Sequence, residues 1–216
     1  MGPLPFAISI TLLALLLAGC PFGGAGNTRP AASAQKPVAT AAAAKPGAAK
    51  PATPAADPTE AEFRRALELM QARDYTQAEP LLSELTRRQP QLSGPWLNLG
   101  ILYARTQRRA QAIEALRKGL ALNPNSAPAQ NQLGILLREA GELRAAEQAY
   151  RAALAVSPDY AYAHLNLGVL YDVHLKQPAL ALQHYEQYRQ LAPADGARVA
   201  VWIADLKQRS SATGKP

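Results

Sequence analysis

Between residues 59 and 193, apolar side chains recur at spacings of three and four, the period of an amphipathic helix. Trp96, Leu99, Gly100 and Tyr103 stand at i, i+3, i+4 and i+7, which is one helix face. A longer period overlies this short one. Pro90, Pro124 and Pro158 are 34 residues apart, as are Ala78, Ala112 and Ala146, and Gly100, Gly134 and Gly168. A period of that length marks a solenoid, in which stacked copies of one small unit bury a shared core. The register defines four units, at 59–92, 93–126, 127–160 and 161–194. The first is the most divergent, with Ala66 where the others have glycine. The fourth carries a one-residue insertion that moves its alanine to Ala181 and its proline to Pro193. Each unit predicts two helices, so the expected class is all-α.

Local signals place the helix ends. Thr59 with Glu62, and Thr76 with Glu79, have capping-box spacing and predict the two helix starts of the first unit. Gly141 suits a left-handed C-cap, and Pro178 the first turn of a helix. A glycine in a helix interior costs about 1 kcal/mol relative to alanine. Its return at one register therefore predicts a helix–helix contact too close for a side chain. Beyond the array, residues 195–209 predict a capping helix whose apolar stripe is Val199, Trp202, Ile203 and Leu206. Residues 210–216 read as a tail.

The second unit, with Trp96, Leu99, Gly100, Tyr103, Ala112 and Pro124, resembles the tetratricopeptide repeat. The third has Gln130 and Leu137 at the tryptophan and tyrosine positions, and the fourth has His164, Leu167, Gly168 and Tyr171. The resemblance implies a solenoid of four helical hairpins whose first helices line a concave face for a protein or peptide ligand. The residues at the family's contact positions are Leu97, Asn98, Ile101 and Arg105, then Asn131, Gln132, Ile135 and Arg138. The last unit adds Tyr162, Leu165, Asn166, Val169 and Asp172. Amides there suit an extended backbone, and Arg105 and Arg138 suit acidic groups. The lysines with which some members clamp a chaperone's terminal carboxylate are missing.

The N-terminal region follows another logic. Phe6 to Ala18 is mostly apolar, too short for a spanning helix of roughly 20 residues, but suited to a secretory signal. Leu17-Ala18-Gly19-Cys20 resembles the lipobox of bacterial lipoproteins. That resemblance implies a signal peptide over residues 1–19, cleavage before Cys20, and acyl chains on Cys20 that anchor the protein in a membrane. The segment Met1–Pro5 lacks the Lys or Arg usual in signal peptides. Pro21, not Asp, follows the cysteine, which by the sorting rule of such lipoproteins implies the outer membrane, facing the periplasm. Residues 20–58 are rich in Ala, Pro and Lys, with prolines interrupting every run, and predict a disordered tether.

Composition then narrows the function. The formal charge is +7, yet all sixteen acidic residues lie at or beyond Asp57, and Arg29, Lys36, Lys45 and Lys50 precede it. The remaining part carries nineteen basic against sixteen acidic residues, so the excess sits largely in the tether and no nucleic acid is expected. Cys20 is the single cysteine. His164, His174 and His184 are spaced by ten, but no carboxylate pattern accompanies them, and they are not read as metal ligands. There is no phosphate-cradling loop and no nucleophile elbow. The expected protein is not an enzyme and uses no cofactor or small-molecule substrate. It is a scaffold, an assembly factor or adaptor of the kind that serves pili, secretion machines or cell-wall enzymes. The rival readings are a self-associating structural protein of the envelope, and cell-wall or nucleic-acid binding through the basic tether.

Overall fold

The computed structural model describes residues 58–213, and these are all-helical. The expected signal segment, Cys20, the expected tether up to residue 57 and the last three residues lie outside the described residues. Four hairpins follow one another: α1 (Pro58–Gln71) with α2 (Tyr75–Arg88), α3 (Ser93–Arg105) with α4 (Arg109–Leu122), and α5 (Ala127–Glu139) with α6 (Leu143–Val156). The fourth joins α7 (Ala161–Val169) to α8 (Pro178–Leu191), and α9 (Gly196–Thr213) packs on α8. Each helix packs mainly on its sequence neighbours, and the successive first helices α1, α3, α5 and α7 also touch, as stacking of one unit on the next requires. The apolar core runs from Leu97 of α3 to Leu206 of α9, and a second cluster joins the first hairpin to α3 through Leu69, Leu82 and Leu102.

The recurring glycines sit where the two helices of a hairpin touch. A Cβ on Gly100 would lie 2.7 Å from Leu116 Cγ, one on Gly134 2.5 Å from Tyr150 Cε1, and one on Gly168 2.4 Å from Tyr185 Cδ1. Ala66, at the same register in the first hairpin, is fully buried and belongs to the cluster that holds Leu82.

The hairpin turns share one device. Arg73, Gln107, Gly141 and Lys176 close the first helices with positive φ, at 60°, 62°, 81° and 54°. Only the third is glycine, the residue without a Cβ penalty in this conformation. Nothing lies within 4 Å of a Cβ built on Gly141, so its substitution isolates the backbone term. Gly141→Ala is expected to destabilise the chain by about 1 kcal/mol in urea unfolding, with no change in slope.

The insertion in the fourth unit has a physical form. It is taken up as a π-helical turn, Leu170–His174, continuing α7, with Leu175 N bonded to Leu170 O. An extra residue in a helix is absorbed in this way without breaking the hydrogen-bond ladder. The downstream register is kept: Ala181 is fully buried and Pro178 opens α8.

The capping boxes are corrected. Asp74, not Thr76, caps α2; its carboxylate accepts the Gln77 amide at 3.1 Å. Thr76 lies inside the helix and Glu79 takes both guanidinium nitrogens of Arg108, at 2.8 and 2.6 Å. Thr59 likewise lies inside α1, and Glu62 pairs with Arg88 of α2. In both cases the glutamate binds an arginine from outside its own helix, Arg88 of α2 or Arg108 of the turn before α4, a stronger partner than a helix-end amide. The stripe Val199, Trp202, Ile203 and Leu206 is buried as the pattern predicts, each residue at most 4% exposed.

Candidate functional site

The residues expected to form the ligand face lie on α3, α5, α7 and the π-turn, and the structure sorts them by exposure. Arg105 is exposed; Ile101 and Tyr162 are partly so. The other ten are buried. Leu97, Ile135, Leu165 and Val169 belong to the continuous core, where their apolar surface joins successive hairpins. Asn166 Nδ2 donates to Asn131 Oδ1 at 3.0 Å and ties α7 to α5, whereas Asn98 Nδ2 turns back on the Gly94 carbonyl of its own helix at 2.9 Å. Gln132 is buried beside Asn131.

The two arginines differ. Arg105 ends α3 in solvent, whereas Arg138 is buried at the end of α5 with Nε 3.4 Å from Tyr150 Oη. Burial pushes the Tyr150 phenol up to about 12, so it stays a neutral partner. Neither arginine pairs with a carboxylate among the described residues. Asp172 is committed inward: its carboxylate receives Arg209 of the capping helix at 3.1 Å and Tyr185 Oη at 3.4 Å. It therefore ties the last hairpin to its cap.

A second concavity, about 460 Å³ and open to solvent, is lined by Tyr75, Thr76, Glu79, Pro80, Ser83 and Thr106. Its carboxylate is engaged, since the hydrogen bond from Arg108 holds Glu79 below the usual carboxylate range.

Several contacts were not legible from spacing. His164 and His184 meet, Nδ1 to Nδ1, at 3.0 Å, while His174 lies apart, its proton affinity lowered by burial and by Arg138 and Lys176. Among the described residues no group of three or more His, Cys, Asp or Glu is placed to hold a metal ion. One recurring bond did leave a signal. Trp96 Nε1 donates to the Pro90 carbonyl at 3.0 Å, Gln130 Nε2 reaches that of Pro124 at 3.5 Å, and His164 Nε2 meets that of Pro158 at 3.0 Å. Three different side chains at one register share only the ability to donate from nitrogen, and each staples its hairpin to the preceding one.

The repeat geometry is matched by known proteins. Tetratricopeptide repeat family models match residues 69–133 and 131–196. The fold is similar to that of the MamA protein, at 25% identity and a TM-score of 0.64, covering 71% of this chain and 82% of that one. It is also similar to pilF of Pseudomonas aeruginosa, at 24% identity and 0.62, covering 71% and 69%. An O-GlcNAc transferase of Thermobaculum terrenum contains the same fold at 24% identity and 0.56, but this chain covers only 26% of it. No curated protein sequence matches the chain. The two family matches meet end to end over the hairpins, and the chain belongs to the tetratricopeptide repeat family.

Proposed function

We propose that this chain is a non-catalytic adaptor that docks a protein or peptide partner on the face formed by α3, α5 and α7. The observation that carries the reading is the Arg105 guanidinium, which ends α3 in solvent beside the partly exposed Ile101 and pairs with no carboxylate among the described residues. By contrast, Asp172 on the last unit is neutralised by Arg209. An unmatched guanidinium beside an apolar floor is suited to a partner that brings an acidic group. The lipobox-like Leu17-Ala18-Gly19-Cys20 supports anchoring through acyl chains on Cys20 and, with Pro21, a place in the outer membrane facing the periplasm. On this reading the protein is an assembly factor or adaptor of an envelope machine.

A photo-crosslinking amino acid at Ile101 or Tyr162 should trap a discrete partner in cells, and the same probe at the exposed Gln111 or Gln148 of the second helices should not. Arg105→Glu should cut the yield at Ile101 by about tenfold, the scale of one charge-assisted contact. Equal labelling from both helix sets, or yields unchanged by Arg105→Glu, overturns the docking face. Mass spectrometry of the membrane fraction tests the anchor: an uncleaved, unmodified Cys20 overturns it.

A further inference from the structure

The fourth hairpin departs from the others in its staple. Trp96 and Gln130 carry no titratable group at this register, whereas the fourth hairpin places an imidazole there. Its bonds also fix its chemistry. The Pro158 carbonyl only accepts, so His164 Nε2 carries the hydrogen. A neutral His164 then presents a lone pair at Nδ1, and His184 Nδ1, 3.0 Å away, must donate to it. The chain of bonds therefore runs from α8, through α7, to the loop that ends the third hairpin.

One extra proton leaves this chain intact, because either ring becomes an imidazolium that still donates to the other. A second proton sets N–H against N–H at 3.0 Å and places two cations with ring centroids 5.2 Å apart. Among the described residues the carboxylates nearby are already engaged and do not answer that repulsion. From α6, the Arg151 guanidinium adds positive charge; the neighbouring Glu147 carboxylate is held by Arg151 at 2.9 Å and by Tyr171 Oη at 2.7 Å. From the π-turn, Tyr171 stacks its ring on His184 at 5.6 Å and 18°. From α9, Lys207 is paired with Glu186, and Arg209 with Asp172 and Asp205.

We propose that the His164–His184 pair is an acid-sensitive latch, holding α7 on α8 within the fourth hairpin at neutral pH and loosening α7, α8 and the cap on acidification. The docking face is tied to the latch, because α7 carries Tyr162, Leu165, Asn166 and Val169. Release therefore lowers partner affinity as well as local stability. The proton linkage has the required sign. Burial first, then His164 and Arg151, lower His184 from 6.5 to about 4. The closed hairpin thus refuses a proton that the open one accepts, and closure weakens as pH falls from about 6.5 toward about 4.

Hydrogen exchange on the full-length chain tests this, with protection factors corrected for intrinsic rates at about pH 7.5 and about pH 5. Amides of α7, α8 and α9 should lose protection by about tenfold to thirtyfold at the lower pH, the ratio that an open-state histidine at its ordinary value gives against the closed one. Amides of α3 and α4 should not follow. His164→Gln copies the third hairpin's own Gln130, keeping the staple without the second charge, and should reduce the loss while the burial of His184 keeps part of it. His184→Gln, which keeps a donor toward His164 and removes the buried imidazole, should hold the loss below about threefold. An equal loss in all helices, an unchanged loss in both variants, or no loss in the wild type overturns the latch.

Discussion

Replacing Gly168 with alanine is expected to destabilise the chain by about 3 kcal/mol, at the upper end of overpacking effects in well-filled cores. The added carbon would sit 2.4 and 2.5 Å from two atoms of the Tyr185 ring. That ring cannot step aside, because it is fully buried, lies 5.5 Å from the Trp202 ring and bonds Asp172 through its hydroxyl. The first hairpin shows the natural remedy: alanine at Ala66 with Leu82 in the place of the tyrosine. Gly168→Ala combined with Tyr185→Leu should therefore cost at least about 1 kcal/mol less than the two single changes added together. Urea unfolding of the four proteins gives the coupling energy. Strict additivity would mean that the glycine is not there for the helix contact. It would leave its recurrence in three hairpins unexplained.

This glycine also shows what was legible. Its return every 34 residues marks a close contact in the sequence itself, because only a structural need offsets glycine's cost inside a helix. The same holds for the buried stripe of α9 and the left-handed Gly141, each set by the local pattern of the chain. Capping boxes were read less well. A Thr-x-x-Glu spacing records a local possibility, and the glutamates at 62 and 79 instead found arginines 26 and 29 residues away. The family's contact positions follow from the register, but how each side chain at them is used does not. Sequence register puts Asp172 beside Arg138 as a contact residue, yet Arg209, 37 residues on, claims it. The histidines invited a reading by their spacing of ten, and it is the packing of α7 on α8 that joins two and leaves the third aside. Interactions within one or two turns are written in the chain; those between hairpins depend on the stack.

Trp202→Ala is expected to cost about 3–5 kcal/mol, the range for removing a large aromatic from a filled core. Trp202 is 4% exposed between Val199, Ile203 and Leu206, and its ring meets Tyr185, which in turn fills the space over Gly168. The loss should spread unevenly. Each hairpin contacts mainly its neighbours, so a weakened cap loosens α7 and α8 before α3 and α4, and urea unfolding should broaden instead of merely shifting. A solenoid end stripped of its cap also exposes the apolar face that the cap covered, and light scattering should show association growing with concentration. The neighbouring Val201 is the control: at 57% exposure it faces solvent, and Val201→Ala should stay within about 0.5 kcal/mol of the parent. If Trp202→Ala were as mild as Val201→Ala, α9 would be a passenger on the array and not its end cap. If the two unfolded alike but cooperatively, the repeats would be coupled far more tightly than nearest-neighbour stacking allows.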